Sequence, residues 1–520
     1  MMRVLVPKFA YHRFVVKRTL SSVIQTGSKN DHQSSSYQAI KGLPFEDIPG
    51  PSRIPLWGNL LQYKLGLYDW TQYHKVLCKL NETYGSIVRE DLGPYYTVIH
   101  LFDPNDARTV YAAEGRTPII RPLQETVKLY RKRKNQSPGL GNTNGEEWYR
   151  LRSAVRHLML QPREVIQYLP EVNDATNQFL ARLRSCMDAT GEVPSLNEDV
   201  AKWSQESAGR ICFGKSLGCF SEGPDEKEVE KIIHVNREMF RLSSSLKFSL
   251  PMYKLFPTPM WTKISKYEDF LVDYTVKHVN ETVDKINSFV QKGQQIPTSY
   301  SFLSHLIASK DLNHSDITVL SISMFLDGLS TTVPMLLFNL YNLATHPLVQ
   351  EKTFAEVRNA LPDPKMPVTS EVLGNLPYLK ALVKESFRTL PNGTDISRIL
   401  EKDLILSGYH VPAGTHVNLN MLVNFKSEKY FQEPEKFLPE RWLRGEAGHS
   451  IDPFVLTPFG HGTRTCAGRR FAEQDLYVFL VKILRNFKLK YPSGAKLNGV
   501  YHTLIFPDGP VRVRFEQRQE

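Results

Sequence analysis

The sequence predicts a mainly helical protein with small β-sheets, and three patterns point to it. Apolar residues recur at helical spacing, with polar outer faces, through 69–84, 146–160 and 165–187. The stretch from Leu320 to Leu343 is apolar and long enough for a buried central helix. Strand signals are short: Ile87–Leu92 and Thr97–Leu101 flank a Gly93-Pro94 turn, with others near Leu404–Leu406, Val417–Leu419 and a Val500–Leu504 hairpin. Hydrophobic residues make up 41% of the 520, and aromatics 11%, which supports a large core and excludes a disordered chain. At about 150 residues per domain, length alone suggests two to four domains. The five cysteines, Cys78, Cys186, Cys212, Cys219 and Cys466, form no C-x-x-C pair and no Cys/His cluster. Neither a disulfide framework nor a zinc site is expected, and a reducing compartment suits them.

The formal net charge is +11. Arg3, Lys8, Arg13, Lys17, Arg18 and Lys29 supply +6 of it before the first acid, Asp31, which leaves +5 for the rest. Apolar residues such as Val4, Leu5, Phe9 and Phe14 alternate with these charges. The pattern predicts an amphipathic mitochondrial transit peptide over residues 1–40, ending in a polar Ser28–Ser36 linker. It lacks the run of roughly 18 apolar residues that a membrane span needs. The moderately basic body favours an acidic protein partner or an anionic membrane surface. No basic run with interleaved aromatics appears, so nucleic acid is not expected as a partner.

The body opens on Ile48-Pro49-Gly50-Pro51, a stiff extended entry, because proline fixes φ and cannot continue a helix. Gly115 to Asn144 carries several Pro and Gly and reads as irregular. Trp148 and Arg152 follow at i and i+4 on one helix face, where an indole N–H and a guanidinium can hold a carboxylate. The stretch Leu242 to Trp261 is apolar but broken by Pro251, Pro257 and Pro259; with Lys247, Lys254 and Lys263 it suits docking on anionic lipid or, equally, a buried loop. In the central helix, Pro334 cannot donate to the Ser330 carbonyl and should kink the helix there, freeing a carbonyl that could hold water.

Farther on, Glu385 and Arg388 stand at i and i+3 of a helix, and Arg441 in Phe437-Leu438-Pro439-Glu440-Arg441-Trp442 offers a second guanidinium to the same carboxylate. Lys380 and Lys384 share a solvated face of that helix. Near the C-terminal end stands Phe459-Gly460-His461-Gly462-Thr463-Arg464-Thr465-Cys466-Ala467-Gly468. Arg464 is close enough to lower the thiol pKa, the glycines let backbone approach a flat ligand, and Gly468 opens a helix whose N-terminus favours negative charge. A single cysteine held this way suits an axial haem ligand; an ordinary core cysteine beside a turn is the rival reading.

The string F-G-x-G-x-R-x-C-x-G resembles the cytochrome P450 haem-binding loop at every defined position. The Pro-rich entry, the W-x-x-x-R pair, the E-x-x-R and P-E-R elements and the Cys466 loop stand in that family's order over about residues 45–515. The resemblance implies one haem domain over 41–520, with haem b between the central helix and Cys466. Cys466 would be the axial ligand, Trp148, Arg152, Arg398 and Arg464 would hold propionates, Phe459 would pack beside the haem, and Glu385, Arg388 and Arg441 would brace the core. Asp327-Gly328-Leu329-Ser330-Thr331-Thr332 resembles the oxygen-activating segment, but Ser330 stands where the family has an acid. Asp327, four residues before Thr331, is expected to take over the proton relay or to contact substrate. The implied activity is insertion of one oxygen atom into a lipophilic substrate, steroid- or ecdysteroid-like or xenobiotic. A haem-thiolate isomerase or dehydratase and a non-catalytic haem- or ligand-binding protein are the alternatives.

The lysine pair with Arg469 and Arg470 is similar to the surface by which animal mitochondrial P450s dock an acidic 2Fe–2S ferredoxin, itself reduced by an NADPH-dependent reductase. This type implies peripheral contact with the matrix side of the inner mitochondrial membrane, and the overall wording is similar to arthropod members.

Overall fold

The computed structural model of the chain describes residues 42–93, 96–221, 223–443, 451–492 and 494–518. The predicted transit segment and its linker lie outside the described residues, as does Pro94 of the predicted turn.

Helices dominate, and the periodic segments fold as expected. The first predicted helix is Tyr73–Tyr84, led in by a 3-10 turn at Trp70–Gln72. The second is Gly145–Leu160, and the third splits into Pro162–Ile166 and Leu169–Cys186, each with proline near its start, where a missing N–H costs nothing. Gly115–Asn144 is not wholly irregular. Glu125–Arg133 forms a helix inside it, held by tertiary bonds: Thr126 to Ser243 at 2.8 Å and Tyr130 to Asp269 at 2.5 Å.

The central segment is two helices, His314–Ser330 and Thr332–Thr345, with the break at Thr331. It is apolar and long enough to cross a membrane, but it is largely buried within the protein. The Leu196–Phe213 helix packs against it so closely that a Cβ on Gly328 would stand 2.9 Å from Ser204 Oγ. The break lies where Pro334 withholds an N–H from the Ser330 carbonyl, and that carbonyl, expected to hold water, is taken by a side chain: Asn392 Nδ2 donates to it at 3.1 Å. Asn392 also donates to the Ile505 carbonyl at 2.9 Å and so ties the kink to the C-terminal hairpin.

The main sheet has four strands in the order Ile87–Asp91, Thr97–Leu101, His416–Leu419, Ile396–Ile399, of which only the middle pair is parallel. Arg398, paired with Val417, is thereby fixed on a sheet edge. Among the described residues three two-stranded sheets complete the set, one of them the hairpin of Gly499–His502 and Leu504–Pro507. One hydrophobic core runs from Ile48 to Phe515.

The apolar stretch Leu242–Trp261 divides in two. Phe248, Tyr253 and Trp261 are buried, while Met252, Leu255, Phe256 and Met260 are exposed, Leu255 at 79%. Of the three lysines expected beside this patch, Lys254 and Lys263 are exposed. Lys247, the last residue of the Pro224–Lys247 helix, instead lines the internal cavity.

Candidate active site

A cavity of about 780 Å³ lies between the central helix and the loop that carries Cys466. Its lining includes Asp327, Ser330, Thr331, Phe459, Arg464 and Cys466, together with Trp148, Arg152 and Arg398. The catalytic and haem-contacting residues nominated from sequence therefore meet around one space.

The Cys466 loop turns sharply because Gly460 and Gly462 take φ of 73° and 75°, a region in which a Cβ is disfavoured. The Cys466 amide donates to the Phe459 carbonyl at 2.8 Å, and the Arg469–Asn486 helix begins directly after Gly468. The Cys466 side chain opens on the cavity while the protein shields it from bulk water, so burial raises the thiol pKa. The Gly468 and Arg469 amides and the Arg152 charge act in the opposite sense. The cation beside the sulfur is thus Arg152, not Arg464. Arg464 turns away to donate to the Pro118 and Thr143 carbonyls, each at 2.8 Å, and to Asn144 Oδ1 at 2.7 Å. Its guanidinium lies 4.1 Å over the Trp148 ring, so the i, i+4 pair on the Gly145–Leu160 helix serves two neighbours. Trp148 stacks on Arg464, and Arg152 donates to the Thr465 carbonyl at 2.8 Å. Phe459 packs edge-on against Phe387, with ring centroids 5.4 Å apart.

Haem fits these residues on a charge argument. Arg152, Arg398 and Arg464 border one cavity; among the described residues the acid bonded to this cluster is Glu114, which accepts from Arg398 alone. Burial and then the charges of Arg398 and Arg152 push Arg464 down to about 9, the mark of a cation cluster short of an anion. Two propionates would supply it through charge-assisted hydrogen bonds, with the Cys466 sulfur at the iron. Haem held by a thiolate supplies oxygen activation that amino-acid side chains do not.

On the opposite wall, Asp327 is open to the cavity but enclosed by the protein, so burial lifts its carboxyl to about 7 against the pull of Arg131. The Thr331 and Ser330 hydroxyls both donate to its main-chain carbonyl, at 2.8 and 3.2 Å. Their oxygens still have lone pairs to accept with. The Asp327 carboxyl keeps no hydrogen bond to either.

Glu385 organises the brace below the loop. Its two oxygens accept from Arg388 Nη2 and Nε at 2.8 and 3.0 Å, and from Arg441 Nε at 3.0 Å. Trp442 Nε1 at 2.8 Å and the Leu438 amide at 3.0 Å complete the set. Arg388 also donates to the carbonyls of Phe425, Pro434 and Lys436. Sequence reasoning gave no role to Trp442, Glu114 or Asn392. Trp442 sits next to Arg441 in the same motif and could have been read there; the other two act across large sequence separations.

The family profile described as Cytochrome P450 matches residues 48–515. A probable cytochrome P450 of Caenorhabditis elegans, CYP44, is 39% identical over 96% of this chain and 100% of its own length. Probable cytochrome P450 301a1, mitochondrial, of Drosophila melanogaster is 31% identical over 93% and 88%. The mitochondrial 1,25-dihydroxyvitamin D(3) 24-hydroxylase of Rattus norvegicus is 30% identical over 91% and 89%. A sulfur-bearing loop, an arginine cluster short of an anion and a match over nearly the whole folded body agree: this chain belongs to the cytochrome P450 family, and it is a haem b monooxygenase.

Proposed function

We propose that the chain is a ferredoxin-dependent mitochondrial P450 that hydroxylates a lipophilic substrate of steroid- or ecdysteroid-like or xenobiotic type. The observation that carries the reading is a cationic surface beside the Cys466 loop. Lys384 is exposed, its ammonium 4.1 Å over the Trp442 ring, and partial burial and then the neighbouring Arg469 charge hold its pKa below the usual lysine range. Arg469 and Arg470 share one acid, Glu473, at 2.8 and 3.0 Å. Neither Lys380 nor Lys384 forms an ion pair within 4.0 Å among the described residues, so both are free to meet an acidic partner. The mitochondrial names of the fly and rat relatives support the same reading, and so does the lipid substrate in the rat enzyme's name. Leu255 and Phe256, beside Lys254, would supply peripheral contact with the inner membrane on its matrix side.

Reversing both charges, Lys380→Glu with Lys384→Glu, is expected to raise the apparent KM for ferredoxin at least tenfold while substrate-induced spectra stay unchanged. An unchanged KM, or a loss of substrate binding, would contradict the docking assignment.

In this reading Cys466 ligates the iron, Trp148, Arg152, Arg398 and Arg464 serve the propionates, and Thr331 with Asp327 or Ser330 handles protons. A carboxyl lifted to about 7 holds its proton below that pH and loses it above. If Asp327 is the donor that recharges Thr331, turnover falls as pH rises through 7. Asp327→Asn should lower coupled turnover by roughly 100-fold and flatten that limb of the pH profile. Wild-type turnover and coupling in the variant would remove Asp327 from the mechanism.

A further inference from the structure

Lys247 lines the substrate space and leaves most of its hydrogen-bonding capacity unused. Its ammonium donates to the Tyr501 hydroxyl at 3.0 Å and lies over the ring of Tyr73 at 4.8 Å, with Phe248 and Tyr501 at 5.5 Å. No carboxylate comes within 4.0 Å of it among the described residues. Two acids stand near enough for their charge to be felt, Glu90 and Asp395. Both are already engaged: Glu90 accepts from Tyr63 at 2.6 Å and Tyr73 at 3.2 Å and meets His100 at 3.0 Å, and Asp395 accepts from Thr394 at 2.5 Å. An ammonium has three donors. Lys247 therefore keeps two N–H groups to give, while Tyr501, 1% exposed, holds the ammonium in place; both residues line the cavity.

We infer that Lys247 and Tyr501 form an anchor for a carboxylate, so that the physiological substrate is a lipophilic acid rather than a neutral lipid. The inference rests on the monooxygenase reading and narrows its substrate class. Burial opposes the Lys247 charge, but Tyr501, Tyr96 and Asp395 outweigh it and keep the ammonium charged, so an entering carboxylate meets a fixed cation and takes a charge-assisted bond from Nζ. The aromatic rings around the ammonium exclude water from the pair and strengthen it. A neutral ester offers the same chain and shape but only a weak acceptor.

The test is calorimetric titration of the purified holoenzyme with a fatty acid and a steroid-derived acid, each beside its own methyl ester. Wild type should bind at least one acid about tenfold or more tightly than its ester. Lys247→Met should erase the difference by weakening the acid alone, Lys247→Arg should keep it, and Tyr501→Phe should reduce it in part. Equal affinities in wild type, no binding of either acid, or a preference that survives in Lys247→Met overturns the anchor. Because the readout is binding, failure of the enzyme to oxidise any lipid would count against the proposed function and leave this comparison intact.

Discussion

Cys466→Ser is expected to reduce monooxygenation to background while leaving the polypeptide folded. The Cys466 side chain faces the cavity and accepts only local backbone N–H bonds, from Gly468 and Arg469, so its loss removes little packing. Serine is close to cysteine in size and leaves the backbone, caps and core contacts in place, where the large stability losses of substitution arise. The chemical loss is of another order, because a serine hydroxyl has neither the acidity nor the soft sulfur that makes a thiolate an iron ligand. Turnover with a ferredoxin system, read beside the circular dichroism of the same sample, checks both halves. Retained turnover would show that the sulfur is not the ligand, and gross unfolding would show that the loop carries more of the fold than its contacts indicate.

Glu385→Ala is expected to fail at folding rather than at chemistry. Glu385 is fully buried and Arg388 is 1% exposed, and the carboxylate is the common acceptor for two guanidiniums, an indole and an amide. Removing one partner of a buried pair leaves an uncompensated charge and costs about 3–5 kcal/mol, a large share of a total near 5–15 kcal/mol. The expected result is little soluble holoprotein and a midpoint of urea unfolding far below wild type. Glu385→Gln keeps an acceptor of the same shape and should fall between the two. Wild-type stability in the alanine variant would contradict the bracing role.

These two positions were legible in the sequence because their chemistry is local. A glycine-flanked cysteine ahead of a helix and a carboxylate three residues before an arginine state their geometry in a few characters. Other features depend on partners far along the chain. Glu125–Arg133 is short and strongly polar, so its pattern is faint; it buries Thr126, Val127, Tyr130 and Arg131, with Ser243 and Asp269 as distant partners. The contact between Arg398 and Glu114 crosses 284 residues, and no local pattern pairs them. Spacing alone makes Arg464 the neighbour of the sulfur, yet Pro118, Thr143 and Asn144 draw it away and Arg152 takes that place. Lys247 sits among surface-type lysines in the sequence, and only the hairpin bearing Tyr501 shows that it points inward.

The most direct test is the reduced carbon-monoxide difference spectrum of the purified full-length protein. Ligation of iron by the Cys466 sulfur predicts the red-shifted band of a haem thiolate, lost in Cys466→His. A wild-type spectrum typical of histidine-ligated haem, or a protein that takes up no haem, would contradict the account at its centre.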